Sequence, residues 1–212
     1  MLVVQCDFDD TITLSNVSVA IREKFGPPNW LEMEDEYLLG RYSVEESNIR
    51  QYELIKTTKQ ELETFVVQQT GIRYGFGDFH EYCRQIGVRL VIVSSGLDIY
   101  IRPILAKLGL DDIEFHSGSA RITPSGIVVK YFDPSLREIR NGFKESYVTH
   151  YKGQGNLVAY VGDGISDIGP AREADFILGR SALLDNSRKE GLECHPFETF
   201  GDVTEIIGRL IS

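Results

Sequence analysis

The chain has 212 residues, 42% of them hydrophobic and 25% charged, enough to bury a full core as one large domain or one domain with an insertion. A net charge of −10 leaves no basic face for a nucleic acid or an anionic membrane, and no stretch is long and apolar enough to span a bilayer, so neither partner is expected. Three distant cysteines, Cys6, Cys83 and Cys194, form no CxxC pair and read as reduced thiols of a cytoplasmic protein without a signal peptide.

The first predicted element is a buried strand over 2–6, ending in Asp7-Phe8-Asp9-Asp10-Thr11. From 14 to about 70 the pattern is helical with no good strand. A helix over 16–25 is stopped by Pro27-Pro28, and a second runs over 30–39 to Gly40. Ser43-Val44-Glu45-Glu46 and Thr58-Lys59-Gln60-Glu61 have the spacing of capping boxes and predict two more helix starts. From Ile72 strands and helices alternate. A helix over 76–86 is followed by a strand over 88–93, a helix over 99–108 and a short strand over 113–115. A hairpin pairs 120–123 with 127–132. Then come a helix over 143–151, a strand over 157–161, a helix over 168–173, a strand over 175–178 and a closing helix over 202–210. Such alternation predicts a parallel sheet with right-handed crossovers.

Ligands of open α/β sheets bind beyond the carboxyl ends of the strands, so the residues there carry the functional argument. After the first strand stand Asp7, Asp9 and Thr11. After the 88–93 strand stand Ser94-Ser95-Gly96, expected to open a helix and offer backbone N–H groups to an anion. After the 157–161 strand stand Gly162-Asp163-Gly164-Ile165-Ser166-Asp167. Any one of these sets fits an ordinary polar turn. Three of them on one sheet edge fit a site for a hard cation such as Mg²⁺ and a phosphate. Lys144, at the start of a predicted helix, adds an ammonium for the phosphate.

The order Asp-x-Asp-x-Thr, Ser after a strand, Lys, then Gly-Asp-Gly-x-x-Asp resembles the haloacid dehalogenase superfamily across the whole chain. The resemblance implies a Rossmann-like three-layer α/β sandwich with a parallel central sheet, a core domain of 1–13 and 72–212, and an inserted helical cap domain of 14–71. It implies Asp7 as nucleophile forming an aspartyl-phosphate, and Asp9 as acid/base. It implies Mg²⁺ held by Asp7, Asp163 and the Asp9 backbone carbonyl, with Asp167 holding a metal-bound water. Thr11, Ser94, Ser95, Gly96 and Lys144 would hold the phosphoryl group of a small phosphorylated metabolite. An acid two residues after the nucleophile favours phosphate-ester cleavage, which needs a proton for the leaving oxygen.

The helical insertion resembles the cap of the phosphoserine-phosphatase-like branch. Arg50 or Gln51 falls near the position of a substrate-carboxylate Arg there, while Asn16 stands where those enzymes place a Glu for the substrate amine. Within that branch, Phe25-Gly26-Pro27-Pro28-Asn29-Trp30, Ile72-Arg73-Tyr74-Gly75-Phe76, Ser95-Gly96-Leu97-Asp98, Lys144-Glu145-Ser146 and His195-Pro196-Phe197 are similar to phosphatases of methionine salvage. The same residues would serve phosphoryl transfer to an acceptor other than water, as in a phosphomutase. A receiver-like phosphoacceptor domain also joins acids, Ser or Thr and Lys, but its accepting Asp follows an earlier acidic pair. Nothing in the sequence sets an oligomeric state.

Overall fold

The computed structural model describes residues 1–211. After β1 (Leu2–Cys6) come four helices, α1 (Val17–Phe25), α2 (Trp30–Leu38), α3 (Val44–Glu53) and α4 (Lys59–Gln69). The chain continues through α5 (Phe76–Ile86), β2 (Arg89–Leu97), α6 (Asp98–Lys107), β3 (Glu114–Thr123), β4 (Gly126–Phe132) and β5 (Glu138–Ile139). It ends with α7 (Phe143–Gly153), β6 (Leu157–Gly162), a 3-10 turn (Ile165–Asp167), α8 (Ile168–Glu173), β7 (Phe176–Gly179), α9 (Ser181–Glu190), β8 (Cys194–Pro196) and α10 (Phe200–Leu210). Among the described residues no helix is long and apolar enough to cross a membrane.

One mixed sheet has the order β5-β4-β3-β2-β1-β6-β7-β8. Six strands, β1 to β3 and β6 to β8, pair in parallel, and at one edge β4 alone runs the opposite way, pairing antiparallel with β3 and with β5. All five residues of β1 are buried, without alternation, as expected for a strand covered on both faces. β1 leads on to its neighbour β2, whereas β6 on its other side leads on to β7, so connections leave the carboxyl ends of β1 and β6 in opposite directions. That is a topological switch point, where such sheets open a crevice. Phe76 and Phe200 meet at 4.9 Å between ring centroids and join α5 to α10.

The four-helix segment begins and finishes at one place. Thr13 and Ile72 form an antiparallel bridge. Arg73 stitches this neck together, its guanidinium donating to the carbonyls of Asp10, Thr11, Thr13 and Glu198. Asn16 caps α1 by accepting from the Val19 amide at 2.9 Å, and full capping boxes start α3 and α4 at Ser43 and Thr58. The β3–β4 turn rests on the end of α3. A Cβ added at Gly126 (φ +153°) would lie 1.8 Å from the Glu53 carbonyl oxygen, so only glycine fits that contact.

Several element boundaries differ from the sequence reading. β2 does not stop at Val93 but runs on to Leu97, and α6 follows at once, starting at Asp98, one residue before the predicted helix. The pairing explains this: Val93 pairs with His116 and Leu97 with Gly118, so Ser94-Ser95-Gly96 is a bulge with two residues more than the facing strand. β3 spans ten residues because its first part pairs with β2 and its second part with β4, merging the expected short strand with the hairpin arm. β5, α9 and β8 were not expected. α9 is mostly polar, with only Leu183 and Ser187 buried, and so lacks a legible apolar stripe.

Candidate active site

Asp7 follows β1 directly, and its amide still donates to the Val161 carbonyl at 2.9 Å. Asp10 then adopts φ +58°, a left-handed turn that Asp tolerates better than most residues, and carries the chain out of the sheet. α7 supplies Lys144 in its first turn. Gln5 of β1 donates to the Lys144 carbonyl at 3.0 Å, and Glu45 of α3 accepts from the Phe143 amide at 2.9 Å. The Lys144 ammonium lies 2.7 Å from Asp7 Oδ1 and 2.6 Å from Asp167 Oδ1.

Asp163 joins this group from the loop after β6. Carboxylate oxygens of Asp7, Asp163 and Asp167 all lie within 4.8 Å of one another. Asp167 is fully buried and engaged on both oxygens. Oδ1 accepts from Lys144 and from the Tyr160 hydroxyl (2.5 Å); Oδ2 accepts from the amides of Asp163 (2.9 Å) and Gly164 (2.8 Å). Thr11 is buried as well, and its hydroxyl donates to Asp163 Oδ1 at 2.9 Å rather than standing free for a ligand.

Burial dominates the electrostatics. It pushes the Asp7 carboxyl well above the usual range against the lowering pull of Lys144, with Asp167 and Asp163 adding repulsion. Asp163 is pushed up to about 7 by burial and then by Asp167. For Lys144 burial acts downward, yet Asp167 and Asp7 outweigh it and raise the ammonium above its ordinary value. Three carboxylates thus face one ammonium. Oxygen-only, anionic and closely spaced, this donor set fits a hard divalent cation, which would offset the remaining repulsion.

Asp9 sits apart from that cluster. Its Oδ1 accepts from the Val17 amide at 2.8 Å and its Oδ2 from the Tyr100 hydroxyl at 2.5 Å. Burial raises it to about 6 although both hydrogen bonds favour the carboxylate. Tyr100 was missed in the sequence. No local pattern marks it; in the folded chain Gly96 makes room for it, since a Cβ there would fall 2.1 Å from the Tyr100 hydroxyl.

A cavity of about 220 Å³ opens above these groups. Asp7, Asp9, Ser94, Ser95, Lys144 and Asp163 line its floor. Ser94 Oγ accepts from the Gly96 amide at 3.0 Å, and the buried Ser95 hydroxyl has no partner among the described residues. Ser94-Ser95-Gly96 therefore reach the cavity from a strand bulge, not from the helix start that the sequence suggested. Ser18, Arg22, Glu34, Tyr37, Ser47 and Asn48 of the helical segment form the facing wall. Asn48 links the two sides by donating to the Ser95 carbonyl at 2.8 Å.

Arg50 does not reach this cavity. It is exposed, with its guanidinium 4.1 Å over the Tyr42 ring, beside a separate hollow lined by Glu32, Met33 and Glu36. Helix geometry explains the difference. α3 buries Glu45, Asn48 and Tyr52 together with Ser47 and Gln51, whereas Arg50 lies about 200° around the axis from Asn48. The arginine at the cavity is Arg22, one turn after Ser18 on the inward face of α1.

This sheet edge, with its acidic cluster and lysine, defines a hydrolase site of a recognisable class. Residues 4–172 match the haloacid dehalogenase-like hydrolases, and the chain belongs to that enzyme family. Among similar proteins, the 2-hydroxy-3-keto-5-methylthiopentenyl-1-phosphate phosphatase of Brevibacillus brevis is 32% identical over 97% of this chain and 95% of its own length. The protein of the same name from Geobacillus kaustophilus is 33% identical over 99% of this chain and 96% of its own. Among solved structures, a phospho-aspartyl intermediate analogue of phosphoserine phosphatase superposes with a TM-score of 0.67 at 17% identity, covering 96% of this chain and 97% of that one. A phosphoserine phosphohydrolase-like protein from Francisella tularensis gives 0.69 at 19% identity, covering 98% and 100%. These structural likenesses speak to the fold alone.

Proposed function

We propose that the protein is a Mg²⁺-dependent phosphatase that cleaves the phosphate monoester of a small metabolite through an aspartyl-phosphate on Asp7. The observation that carries this reading is the contact between Asp7 Oδ1 and Lys144 Nζ at 2.7 Å, on the floor of a cavity that also holds Asp9 and Asp163. Lys144 draws on Asp7 and is itself held by Asp167, so it keeps its charge and lowers the repulsion between a carboxylate nucleophile and a phosphoryl group. Asp7 and Asp163, with the Asp9 carbonyl, would hold the cation. Asp167, with both oxygens already engaged, would act behind them. Bound there, Mg²⁺ supplies positive charge to the phosphoryl oxygens.

The chain's own groups account for the rest. Asp7 forms a bond to phosphorus as the ester P–O bond breaks, and protonated Asp9 gives its proton to the departing oxygen. Asp9, now a carboxylate, takes a proton from water. That water attacks phosphorus, the P–O bond to Asp7 breaks, and inorganic phosphate leaves. A carboxyl near 6 is suited to both halves of this exchange. The four-helix segment of 14–71 serves as the cap that keeps bulk water from the acyl phosphate. The names of the Brevibacillus and Geobacillus relatives favour the 2-hydroxy-3-keto-5-methylthiopentenyl-1-phosphate of methionine salvage as the physiological ester. With Mg²⁺ the wild-type protein should hydrolyse p-nitrophenyl phosphate and Asp7→Asn should not. Retained turnover in that variant removes Asp7 as nucleophile.

A further inference from the structure

We propose that Arg22 selects the organic half of the substrate, and that this half presents an uncharged oxygen, a ketone or hydroxyl, to the guanidinium. The inference rests on the phosphatase reading above. Arg22 is only 5% exposed, yet it lines the cavity wall opposite the phosphate-site residues. Its Nη1 donates to Ser18 Oγ at 3.0 Å and to Asn48 Oδ1 at 3.3 Å. Nη2 has Glu34 Oε2 at 3.4 Å, and the buried Nε has no acceptor among the described residues. A guanidinium carries five donors, and a buried one is seldom left incomplete; Nε is enclosed by protein, so the Nη2 hydrogens, which make no hydrogen bond among the described residues, are the ones left for an oxygen in the cavity.

Charge sets the class of that ligand. Among the described residues lining the cavity the cations are Arg22 and Lys144. Lys144 is held between Asp7 and Asp167, and Arg22 is balanced by Glu34, which Gln51 Nε2 holds in place at 3.1 Å. A carboxylate on the substrate would meet Glu34 with no cation left to pair it. An uncharged oxygen meets guanidinium donors and the neutral groups of Ser18, Tyr37 and Ser47 without that repulsion.

The test compares dihydroxyacetone phosphate, 2-phosphoglycolate and p-nitrophenyl phosphate in wild type, Arg22→Met and Arg22→Lys. Wild type should prefer dihydroxyacetone phosphate to 2-phosphoglycolate. Arg22→Met should lower kcat/KM for dihydroxyacetone phosphate by about 10- to 100-fold, mostly through KM, the range for a hydrogen bond to a charged group. The fall for p-nitrophenyl phosphate should be smaller, so that the ratio of the two drops at least ~10-fold. Arg22→Lys should restore part of that ratio. Equal losses on both esters, or no loss on the hydroxyketone ester, overturn the assignment. A wild-type preference for 2-phosphoglycolate that disappears in Arg22→Met overturns the uncharged class. Wild type that hydrolyses none of the three contradicts the phosphatase reading instead. Calorimetric binding of dihydroxyacetone phosphate then decides on Arg22, since replacing it must weaken binding at least ~10-fold.

Discussion

The Tyr100 hydroxyl donates to Asp9 Oδ2 at 2.5 Å across 91 residues of sequence, and both groups are buried. This contact holds the side chain proposed as the acid/base, and it favours the carboxylate form. Removing it in Tyr100→Phe should raise Asp9 further above its value of about 6. With protonated Asp9 as the proposed proton donor to the leaving oxygen, the alkaline limb of kcat/KM should move to higher pH. The lost positioning should lower kcat by about 10- to 100-fold. A pH–rate profile on an aryl phosphate checks both; an unmoved limb with full kcat removes Tyr100 from the site.

Gly96→Ala should reach the same group by a different route. The new Cβ would lie 2.1 Å from the Tyr100 hydroxyl and 3.0 Å from Asp9 Oδ2. Tyr100 must shift away, so kcat should fall by roughly the same ~10-fold or more as in Tyr100→Phe. In the double variant the two losses should not add, because they remove one interaction. Full additivity in turnover measurements contradicts the shared route.

Asp167→Asn should be costly to stability as well as to turnover. Four donors converge on Asp167, and an amide offers only one acceptor atom to them. Lys144 would keep Asp7 as its sole carboxylate partner. Breaking a buried charge pair of this kind costs about 3–5 kcal/mol. Asp7→Asn leaves the Lys144–Asp167 pair in place and relieves like-charge repulsion, so it should be the more stable variant of the two. Urea denaturation of both variants decides the order.

Asp202 gives a pH-dependent contribution far from the cavity. The amides of Glu198 and Thr199 donate to it and hold its carboxyl below the ordinary aspartate value. A depressed folded-state pKa contributes stability above the unfolded value of about 3.9 and loses it as pH falls through the folded value. Asp202→Ala should therefore cost about 1 kcal/mol at neutral pH, typical of a capping interaction. The gap to wild type should close as pH drops below ~4, as denaturation at several pH values would reveal.

The residues nearest the strand ends were the most legible in the sequence. Asp7, Asp9 and Asp163 stand directly after buried apolar runs, and the fold brings them with Lys144 to one cavity. What escaped depends on contacts between segments far apart in the chain. Arg22 and Arg50 are both helical arginines, and only the packing of α1 and α3 decides which faces inward. Tyr100 looks like an ordinary core aromatic until β2 and α6 carry its hydroxyl to Asp9. The continuation of β2 through Ser94-Ser95-Gly96 depends on pairing with β3, and no local propensity signals it. α9 and β8 are short or polar, without a periodic pattern to mark them.

Covalent chemistry at Asp7 leaves an acyl phosphate that borohydride can trap. Enzyme quenched during turnover of an aryl phosphate, reduced with borohydride and mapped by peptide mass spectrometry should carry homoserine at position 7, the product of reducing an aspartyl-phosphate. Turnover at full rate with position 7 recovered only as unmodified Asp, or with homoserine at position 9 or 163 instead, would rule out Asp7 as the nucleophile.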